Sequence, residues 1–252
     1  MQKYCKHDVH RSGKRMSDVK IYQVFYLKKQ KSQLDSAFIP LDNTENKTPE
    51  EHEYPLLCKL FEQNKDADYL WGMVSFRWHE KVSYTGTSFI RWITANPGYD
   101  VYVADTFPRP QYVQHNKYTN IFVQGEDCHP GMMQYFNRLS NILGYNIDLS
   151  VENIPIEYMI FAHYYVGNKR FWNSWMQFLL KCIDITKNDN ELYEFAYVKT
   201  SSYRNFKNLK NFCFVVERLA PFFLYTHRSE YRIILNPTPV KNLVHVPRVL
   251  RS

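Results

Sequence analysis

Charged side chains follow the first of two short apolar segments in the middle of the chain. Tyr69–Phe76 is apolar and aromatic over a length that is typical of a buried strand. Ser75, Arg77 and Lys81 lie at or just beyond its end, with Glu80 beside Lys81. Arginine and lysine at a strand end can hold a diphosphate, with Glu80 orienting Lys81. The alternative is a solvated loop that carries a surface ion pair.

The second apolar segment carries an aspartate at each end. Asp100–Asp105 is β-branched and aromatic, and Asp105 stands at its carboxyl end. A carboxylate there can hold a divalent cation such as Mg²⁺ or Mn²⁺ between two phosphates, or accept a hydrogen bond from a sugar hydroxyl. Asp105 has no second aspartate at Asp-x-Asp spacing. A metal site and a simple cap of the turn before Pro108 therefore both stay open.

An acid also interrupts an apolar helical segment, Phe212–Tyr225, near the end of the chain. Burying a carboxylate is costly unless it is paired or in contact with water. Glu217 therefore either faces a cleft, where burial would raise its pKa and suit it as a general base, or forms a structural pair with Arg218. The residue types alone do not separate the two interpretations.

Three further groups of polar residues have spacings that suit binding. Asp42 and Asn43 end a short extended segment, where they can grip the base and ribose of a nucleotide, and Glu53 follows them. His163 and Asn168 are expected at a strand end and in the next turn, with a satisfied core histidine as the alternative for His163. Asp127 and His129 form an Asp-x-His pair of the kind that can bind metal.

The elements around these residues predict how they are positioned. Thr87–Ala95 has apolar residues at helical spacing and ends at the breakers Asn96, Pro97 and Gly98. It joins the two apolar segments, so they are expected to be parallel strands of one sheet. Ligands of open α/β sheets bind beyond the carboxyl ends of the strands. Ser75–Lys81 and Asp105–Arg109 are therefore the predicted walls of a site.

Composition favours one globular α/β domain. The chain has 252 residues, of which 44% are hydrophobic and 23% charged, with a net charge of +7. Its five scattered cysteines form no CxxC pair, which fits a reducing compartment. No phosphate-loop lysine motif or GxGxxG is present, and no apolar run suits a secretion signal or a membrane span. We expect a cytoplasmic protein whose membrane contact, if any, is peripheral.

The order of segments predicts a domain over residues 19–235, between a disordered basic arm at residues 1–18 and a basic tail at residues 236–252. Strands and helices alternate, which predicts a mixed, mainly parallel central sheet flanked by helices, in a Rossmann-like arrangement. Further expectations are a strand at Ile121–Val123, a turn at Gly125–Gly131, a helix at Phe171–Ile185, and a loop or lid at Glu191–Asn211.

Several segments together resemble bacterial glycosyltransferases of polysaccharide gene clusters. The resemblance rests on KIYQVFY, FIPLDNTEN and HEYPLL, on WGMVSFRWHEKVSYTG and NPGYDVYVADTFP, and on YYVGNKRFWNSWMQF and FVVERLAPFFLY, within Lys20–Leu235. It implies a GT-A-like domain that builds capsule or lipopolysaccharide sugars, with Glu217 as the base of an inverting transfer. The departure at Asp105 from the usual Asp-x-Asp pair leaves metal dependence and the stereochemical outcome open.

The resulting hypothesis is transfer of a sugar from a nucleotide-sugar donor to a glycan or lipid-linked acceptor. The predicted catalytic residues are Glu217 and Asp105, the donor-binding residues are Asp42, Asn43, Ser75, Arg77 and Lys81, and the acceptor-binding residues are His163 and Asn168. No nucleic acid is expected as a partner. The alternative is a non-catalytic nucleic-acid-binding or assembly protein, supported by the basic charge and by the Tyr- and Lys-rich segment Tyr197–Lys210. A sugar-phosphate or nucleotide-modifying enzyme is a third interpretation.

Overall fold

The computed structural model describes residues 18–106, 120–203 and 206–236. Residues 1–17 of the predicted arm, residues 237–252 of the predicted tail, and Arg109 lie outside these ranges. The strands are β1 (Val19–Phe25), β2 (Ile39–Asp42), β3 (Leu70–Val74), β4 (Val101–Ala104), β5 (Tyr165–Gly167), β6 (Thr200–Tyr203), β7 (Phe206–Lys210) and β8 (Ile233–Asn236). The helices are α1 (Tyr54–Asn64), α2 (Trp78–Lys81), α3 (Gly86–Ala95), α4 (Ile121–Cys128), α5 (Met132–Ile142), α6 (Lys169–Asn188), α7 (Asn190–Tyr193) and α8 (Phe212–Thr226).

A six-stranded mixed sheet in the order β2-β1-β3-β5-β4-β8 forms the centre of the fold. β1 pairs in parallel with both β2 and β3, and β4 pairs in parallel with β8. β5 lies antiparallel between β3 and β4. The prediction of an α/β fold with a mixed, mainly parallel sheet is therefore confirmed. The segments joined by α3 are parallel, as expected, although β5 is inserted between them.

Side chains alternate between the two faces of the sheet, as the strand period requires. Trp71, Met73, Val101 and Val103 belong to the larger core cluster, which packs against the late helices. Val74, Tyr102 and Ala104 belong to a smaller cluster, to which Phe89 and Ile93 of α3 also belong. Both faces of the central strands are buried, which explains why their sequences are continuously apolar.

The close approach of β3 and β5 depends on a glycine and an aromatic stack. A Cβ atom on Gly72 would lie 2.3 Å from the backbone oxygen of Tyr165. Trp71 and Trp172 stack with ring centroids 3.8 Å apart, and the Trp172 indole donates to the Trp71 carbonyl at 2.8 Å. These contacts fix α6 and β5 against the parallel strands, and β5 is the strand that leads out of the candidate site.

Three local predictions are wrong. Ile121–Val123 is not a strand but the first turn of α4, because Asn120 caps this helix by accepting from the backbone amides of Phe122 and Val123 at 2.9 Å each. The predicted turn at Gly125–Gly131 mostly continues the same helix. Glu191–Asn211 is a short helix, a π-helical turn and the β6–β7 hairpin rather than a loop.

No helix within the described ranges combines the length and the apolar character that crossing a bilayer requires.

Candidate active site at the carboxyl edge of the sheet

His163 lies at the edge where the parallel strands end, in the loop that leads into β5. Its side chain is 7% exposed, and its Nε2 lies 4.0 Å from Oε2 of Glu53. The other ring nitrogen, Nδ1, lies 3.4 Å from the Tyr165 hydroxyl. Burial lowers the pKa of His163, while the carboxylates of Glu53 and Glu217 act in the opposite direction and Lys81 adds to the lowering. The ring is therefore neutral near pH 7, and can both donate and accept a hydrogen bond.

Glu53, just before α1, is held from the side of β1. The Tyr26 hydroxyl, at the end of β1, donates to Oε1 of Glu53. Burial, and then the Glu53 carboxylate, hold the pKa of Tyr26 well above its ordinary value, so the phenol stays protonated. Oε1 of Glu53 is thereby occupied, while Oε2 is the oxygen that faces His163. The Glu53 side chain remains 14% exposed, so a ligand can reach it.

Glu217, in the middle of α8, is close enough to His163 for its charge to act on the ring. Its Oε1 accepts from the Ala162 backbone amide at 2.6 Å, and its Oε2 lies 3.8 Å from Nη1 of Arg218. Ala162 has a φ of 51°, an uncommon left-handed conformation for a residue with a side chain. The side chain of Glu217 is 23% exposed although its helix is largely buried. Glu217 is thus partly accessible and also contacts Arg218, so both interpretations of its sequence position stay open.

A basic group completes this cluster from the end of β3. The Ser75 hydroxyl lies 2.6 Å from the Tyr164 hydroxyl, and Nζ of Lys81 lies 5.2 Å from the centroid of the Tyr164 ring. Burial raises the pKa of Tyr164, and the Ser75 hydroxyl lowers it, as a hydrogen bond to the phenolate would. Ser75, Lys81, His163 and Glu217 are therefore brought together by the fold, although β3, β5 and α8 are far apart in the sequence.

Arg77 joins the same edge with a partner of its own. Its Nε donates to Oε2 of Glu80 at 2.7 Å, and its Nη2 contacts the same oxygen. Glu80 was expected to orient Lys81, and the structure pairs it with Arg77. The Arg77 side chain is 29% exposed, so an incoming anion can compete with Glu80 for the guanidinium.

Asp42 and Asn43 lie at the end of β2, farther along the edge. Oδ1 of Asp42 accepts from the Thr44 amide at 2.9 Å, and this bond lowers the pKa of Asp42. The Asn43 backbone amide donates to the Phe25 carbonyl at 2.9 Å. Nδ2 of Asn43 is buried, and no described residue accepts a hydrogen bond from it. An amide donor of this kind suits recognition of a carbonyl or hydroxyl oxygen.

Asp105 lies at the end of β4 and is buried. The carboxylate lies close to Tyr84, whose pKa is raised first by burial and then by the Asp105 charge. The described residues contain no group of three acids, histidines or cysteines that could hold a metal ion. The sequence does contain an Asp-x-Asp pair, Asp66 and Asp68, but it precedes β3 and so lies at the amino edge of the sheet. Metal binding by Asp105 stays a prediction.

Asn168 is not brought to this site. β5 separates it from His163, so the two residues lie at opposite edges of the sheet. Its Oδ1 accepts from the Phe171 amide at 2.9 Å and caps α6, while its Nδ2 donates to Asp100 at 2.8 Å. Both ends of the side chain therefore have structural partners, and the fold gives no support to a role in acceptor binding.

A second buried histidine lies behind Glu217. His129 follows α4, and its ring stacks on Phe214 with centroids 3.7 Å apart. Burial, and then the Arg218 charge, lower the pKa of His129 to about 4, so this ring is also neutral. Arg218 is held by the Gln124 side chain at 2.7 Å and the Phe214 carbonyl at 3.1 Å. These contacts hold in place the turn of α8 that carries Glu217.

The hydrogen bonds of Tyr26, Tyr164 and Tyr165 at this edge were not predicted from the sequence, although Tyr164 and Tyr165 were expected to help shape an acceptor groove. Glu53 was noted only for its position after an early strand. A signal does exist for Tyr26 and Tyr164, because each stands at the carboxyl edge beside a strand that forms the site. Nothing in the sequence indicates that Glu53 and His163 face one another, since that contact depends on where α1 packs.

The arrangement suits acid–base chemistry on a hydroxylated substrate that carries an anionic group. It combines two partly accessible carboxylates, a neutral imidazole and protonated phenols with the cations Lys81 and Arg77. A groove of about 320 Å³ lies elsewhere, between α5 and α7, and is lined by Tyr135, Arg138 and Phe195 among others. Glu191, Glu194 and Lys199 also line this groove, but no histidine is among the described residues that line it. We place the candidate site at the carboxyl edge because two carboxylates act there on a largely buried, neutral imidazole.

Comparison with known proteins yields no matching family model, no matching curated protein and no matching solved structure.

Proposed function

We propose that the protein is a glycosyltransferase that moves a sugar from a nucleotide-sugar to a hydroxyl group of a growing cell-surface polysaccharide or lipopolysaccharide. The observation that carries the proposal is the convergence of Glu53, His163 and Glu217 beside Lys81 at the carboxyl edge. The mixed sheet is compatible with the GT-A-like arrangement that the sequence resemblance implies. Fold alone does not define an activity, so the proposal rests on the site.

Glu217 is the proposed base. Its Oε1 is held by the Ala162 amide, and its partial exposure allows an acceptor hydroxyl to approach the carboxylate. Glu217 takes the hydroxyl proton as the acceptor oxygen bonds to the anomeric carbon of the donor. The bond between that carbon and the diphosphate oxygen breaks, and the diphosphate leaves with the electron pair.

Lys81 and Arg77 are the proposed partners of the leaving diphosphate. Both cations lie beyond β3, and Lys81 is close enough to the cluster for its charge to act on His163. Stabilising the charge that develops on the leaving group lowers the barrier most when the cations are already in place. Asp42 and Asn43, at the end of β2, remain proposed contacts of the nucleoside, and Asp105 remains a proposed contact of the phosphates through Mg²⁺ or Mn²⁺.

A thermal-shift screen against nucleotides and nucleotide-sugars, with and without Mg²⁺ or Mn²⁺, tests the proposal. A ligand at about a hundred times its dissociation constant adds roughly 2.7 kcal/mol of stability, which is readily measured. We expect one nucleotide class to stabilise the wild type and to lose this effect with Lys81→Met. Lys169→Met is the matched control, because Lys169 lies at the amino edge and contacts Asp66.

A response to single-stranded RNA or DNA, without any response to nucleotides, would replace this proposal with the nucleic-acid-binding alternative. Turnover of a nucleotide-sugar that does not depend on any acceptor would favour the nucleotide-modifying interpretation. In either case Lys81→Met and Lys169→Met would show whether the carboxyl edge is involved.

A further inference from the structure

The two groups that face each other across the candidate site leave a gap. Nε2 of His163 and Oε2 of Glu53 are 4.0 Å apart, which is too far for a direct hydrogen bond. Among the described residues, no other group lies within hydrogen-bond distance of this nitrogen. The imidazole side chain is only 7% exposed, yet this nitrogen is not among the fully buried polar atoms that lack a partner within the described residues, so it stays open to water or to a ligand. A polar atom at the edge of a site that still has capacity for a hydrogen bond suits a ligand.

The surroundings of each group determine what it offers. The nearest polar neighbour of His163 Nδ1 is the Tyr165 hydroxyl, and burial raises the pKa of Tyr165, so this phenol keeps its proton. When Tyr165 donates to Nδ1, the hydrogen of the neutral ring is on Nε2. On the other side of the gap, Tyr26 occupies Oε1 of Glu53, and Oε2 is left as an acceptor. The gap therefore has one donor and one acceptor.

We propose that His163 and Glu53 form a subsite that recognises one hydroxyl group of the transferred sugar by hydrogen bonds. A hydroxyl oxygen about 2.8 Å from each atom fits between them. It accepts from Nε2–H of His163 and donates its own hydrogen to Oε2 of Glu53. A sugar that lacks this hydroxyl leaves both groups unpaired, and a carboxylate in its place has no hydrogen to donate to Glu53. This inference rests on the proposed function and specifies how its donor sugar is recognised.

The charges around the gap support a neutral group at this position. Glu53 and Glu217 both act on His163, and the ring is neutral, so it does not offset either carboxylate. Lys81 lies on the Tyr164 side of the cluster, where the diphosphate is proposed to bind. The site is therefore divided into a cationic part and a hydroxyl-binding part, although the chain as a whole is basic.

The test combines changes in the sugar with changes in the protein. The probes are UDP-glucose, UDP-galactose and GDP-mannose with their monodeoxy analogues, and binding is measured by calorimetry. For the wild type we expect one monodeoxy analogue to bind about tenfold to a hundredfold more weakly than its parent, because a hydrogen bond to a charged group is lost. Glu53→Gln and His163→Phe should each bind the parent sugar nucleotide more weakly. The difference in affinity between the parent and this one analogue should disappear, while the other monodeoxy analogues bind relative to the parent as they do in the wild type.

Glu62→Gln is the matched control, since Glu62 is an exposed acid of α1 whose partner is Lys65. This variant should keep the full difference in affinity between the parent sugar nucleotide and the monodeoxy analogue. Glu53→Gln preserves the shape of the side chain, so it still tests the proposal if His163→Phe does not fold. Binding of a parent sugar nucleotide with no discrimination at any position, or with discrimination that Glu53→Gln leaves unchanged, would overturn the subsite and leave the proposed function intact. Absence of binding by all three parents would overturn both.

Discussion

The two edges of the central sheet carry similar residues in very different states. At the amino edge, Asp100 accepts from Asn168 Nδ2 at 2.8 Å and from the Arg232 amide at 2.9 Å, and Arg170 lies 3.8 Å away. At the carboxyl edge, the acid and histidine that face each other across the site are 4.0 Å apart. A closed network of this kind stabilises the fold, whereas an open one is available to a ligand.

The difference shows why residue type alone is a poor guide to a site. An aspartate at a strand end with an asparagine nearby has the composition of a binding site, yet at the amino edge every oxygen of that aspartate has a partner. The useful criterion is whether the polar groups have remaining capacity for hydrogen bonds. By that criterion the carboxyl edge is the candidate functional edge.

The largest effect is expected at the proposed base. Glu217→Gln keeps an oxygen that can accept from the Ala162 amide but loses the ability to take a proton at neutral pH. We expect the transfer rate to fall by about two to four orders of magnitude, with donor binding retained. The measurement is release of nucleoside diphosphate in the presence of an acceptor. A rate within threefold of the wild type, in the range that Glu62→Gln should show, would remove Glu217 from the mechanism.

The opposite pattern is expected at the amino edge. Asp100→Ala leaves Asn168 Nδ2 and the Arg232 amide without their acceptor. The free energy of unfolding should fall by about 2–3 kcal/mol in chemical denaturation, while the affinity for the donor stays unchanged. Loss of donor binding at unchanged stability would contradict the division of the sheet into a structural and a functional edge.

A pH effect of intermediate size is expected from His129, behind Glu217. The pKa of His129 is about 4 in the folded protein and near 6.5 ordinarily, so the unfolded chain binds more protons between these values. Stability should therefore fall as the pH drops from about 6.5 to about 4, with this group contributing at most about 1.4 kcal/mol per pH unit. His129→Phe should flatten the profile of unfolding free energy in that window. An unchanged slope would show that His129 is not buried in its neutral form.

The smallest effect is expected at Arg77. Glu80→Gln removes the carboxylate that competes with a phosphate for the guanidinium. Affinity for a nucleoside diphosphate should rise by about twofold to fivefold at low ionic strength, because an exposed ion pair is worth little. The gain should shrink as salt is added. Weaker binding in Glu80→Gln would indicate that Glu80 positions Arg77 rather than competing with the ligand.

Much of the fold follows from local sequence patterns. β3 and β4 were predicted as strands from apolar runs of strand length, and α6 and α8 were predicted as helices from their apolar spacing. The prediction of a strand at Ile121–Val123 was wrong because three apolar residues suit a strand and a helix equally well. The contact that decides for a helix is the cap formed by Asn120. The prediction of a loop at Glu191–Asn211 was wrong because the many polar residues of this segment give no sequence pattern for its short helical and strand elements, which pack on α8.

The site was predictable only where one rule applied. The carboxyl-end rule pointed to Ser75, Arg77 and Lys81, and the structure has them just beyond the end of β3. Their role in binding stays a prediction. Asn168 was grouped with His163 because they are close in the sequence, but β5 carries the chain across the sheet between them. The meeting of Glu53, His163 and Glu217 was not predictable, since it joins three segments through tertiary packing.

The most direct test of the central claim compares the two edges in one calorimetric experiment. Nucleoside diphosphate sugars are titrated into the wild type, into Arg77→Ala with Lys81→Met, and into Arg170→Ala with Lys169→Met. We predict that the wild type binds one nucleotide-sugar class, that the first variant loses at least tenfold in affinity, and that the second variant binds as the wild type does. Absence of binding to the wild type, or loss of binding only in the second variant, would contradict the assignment of function to the carboxyl edge.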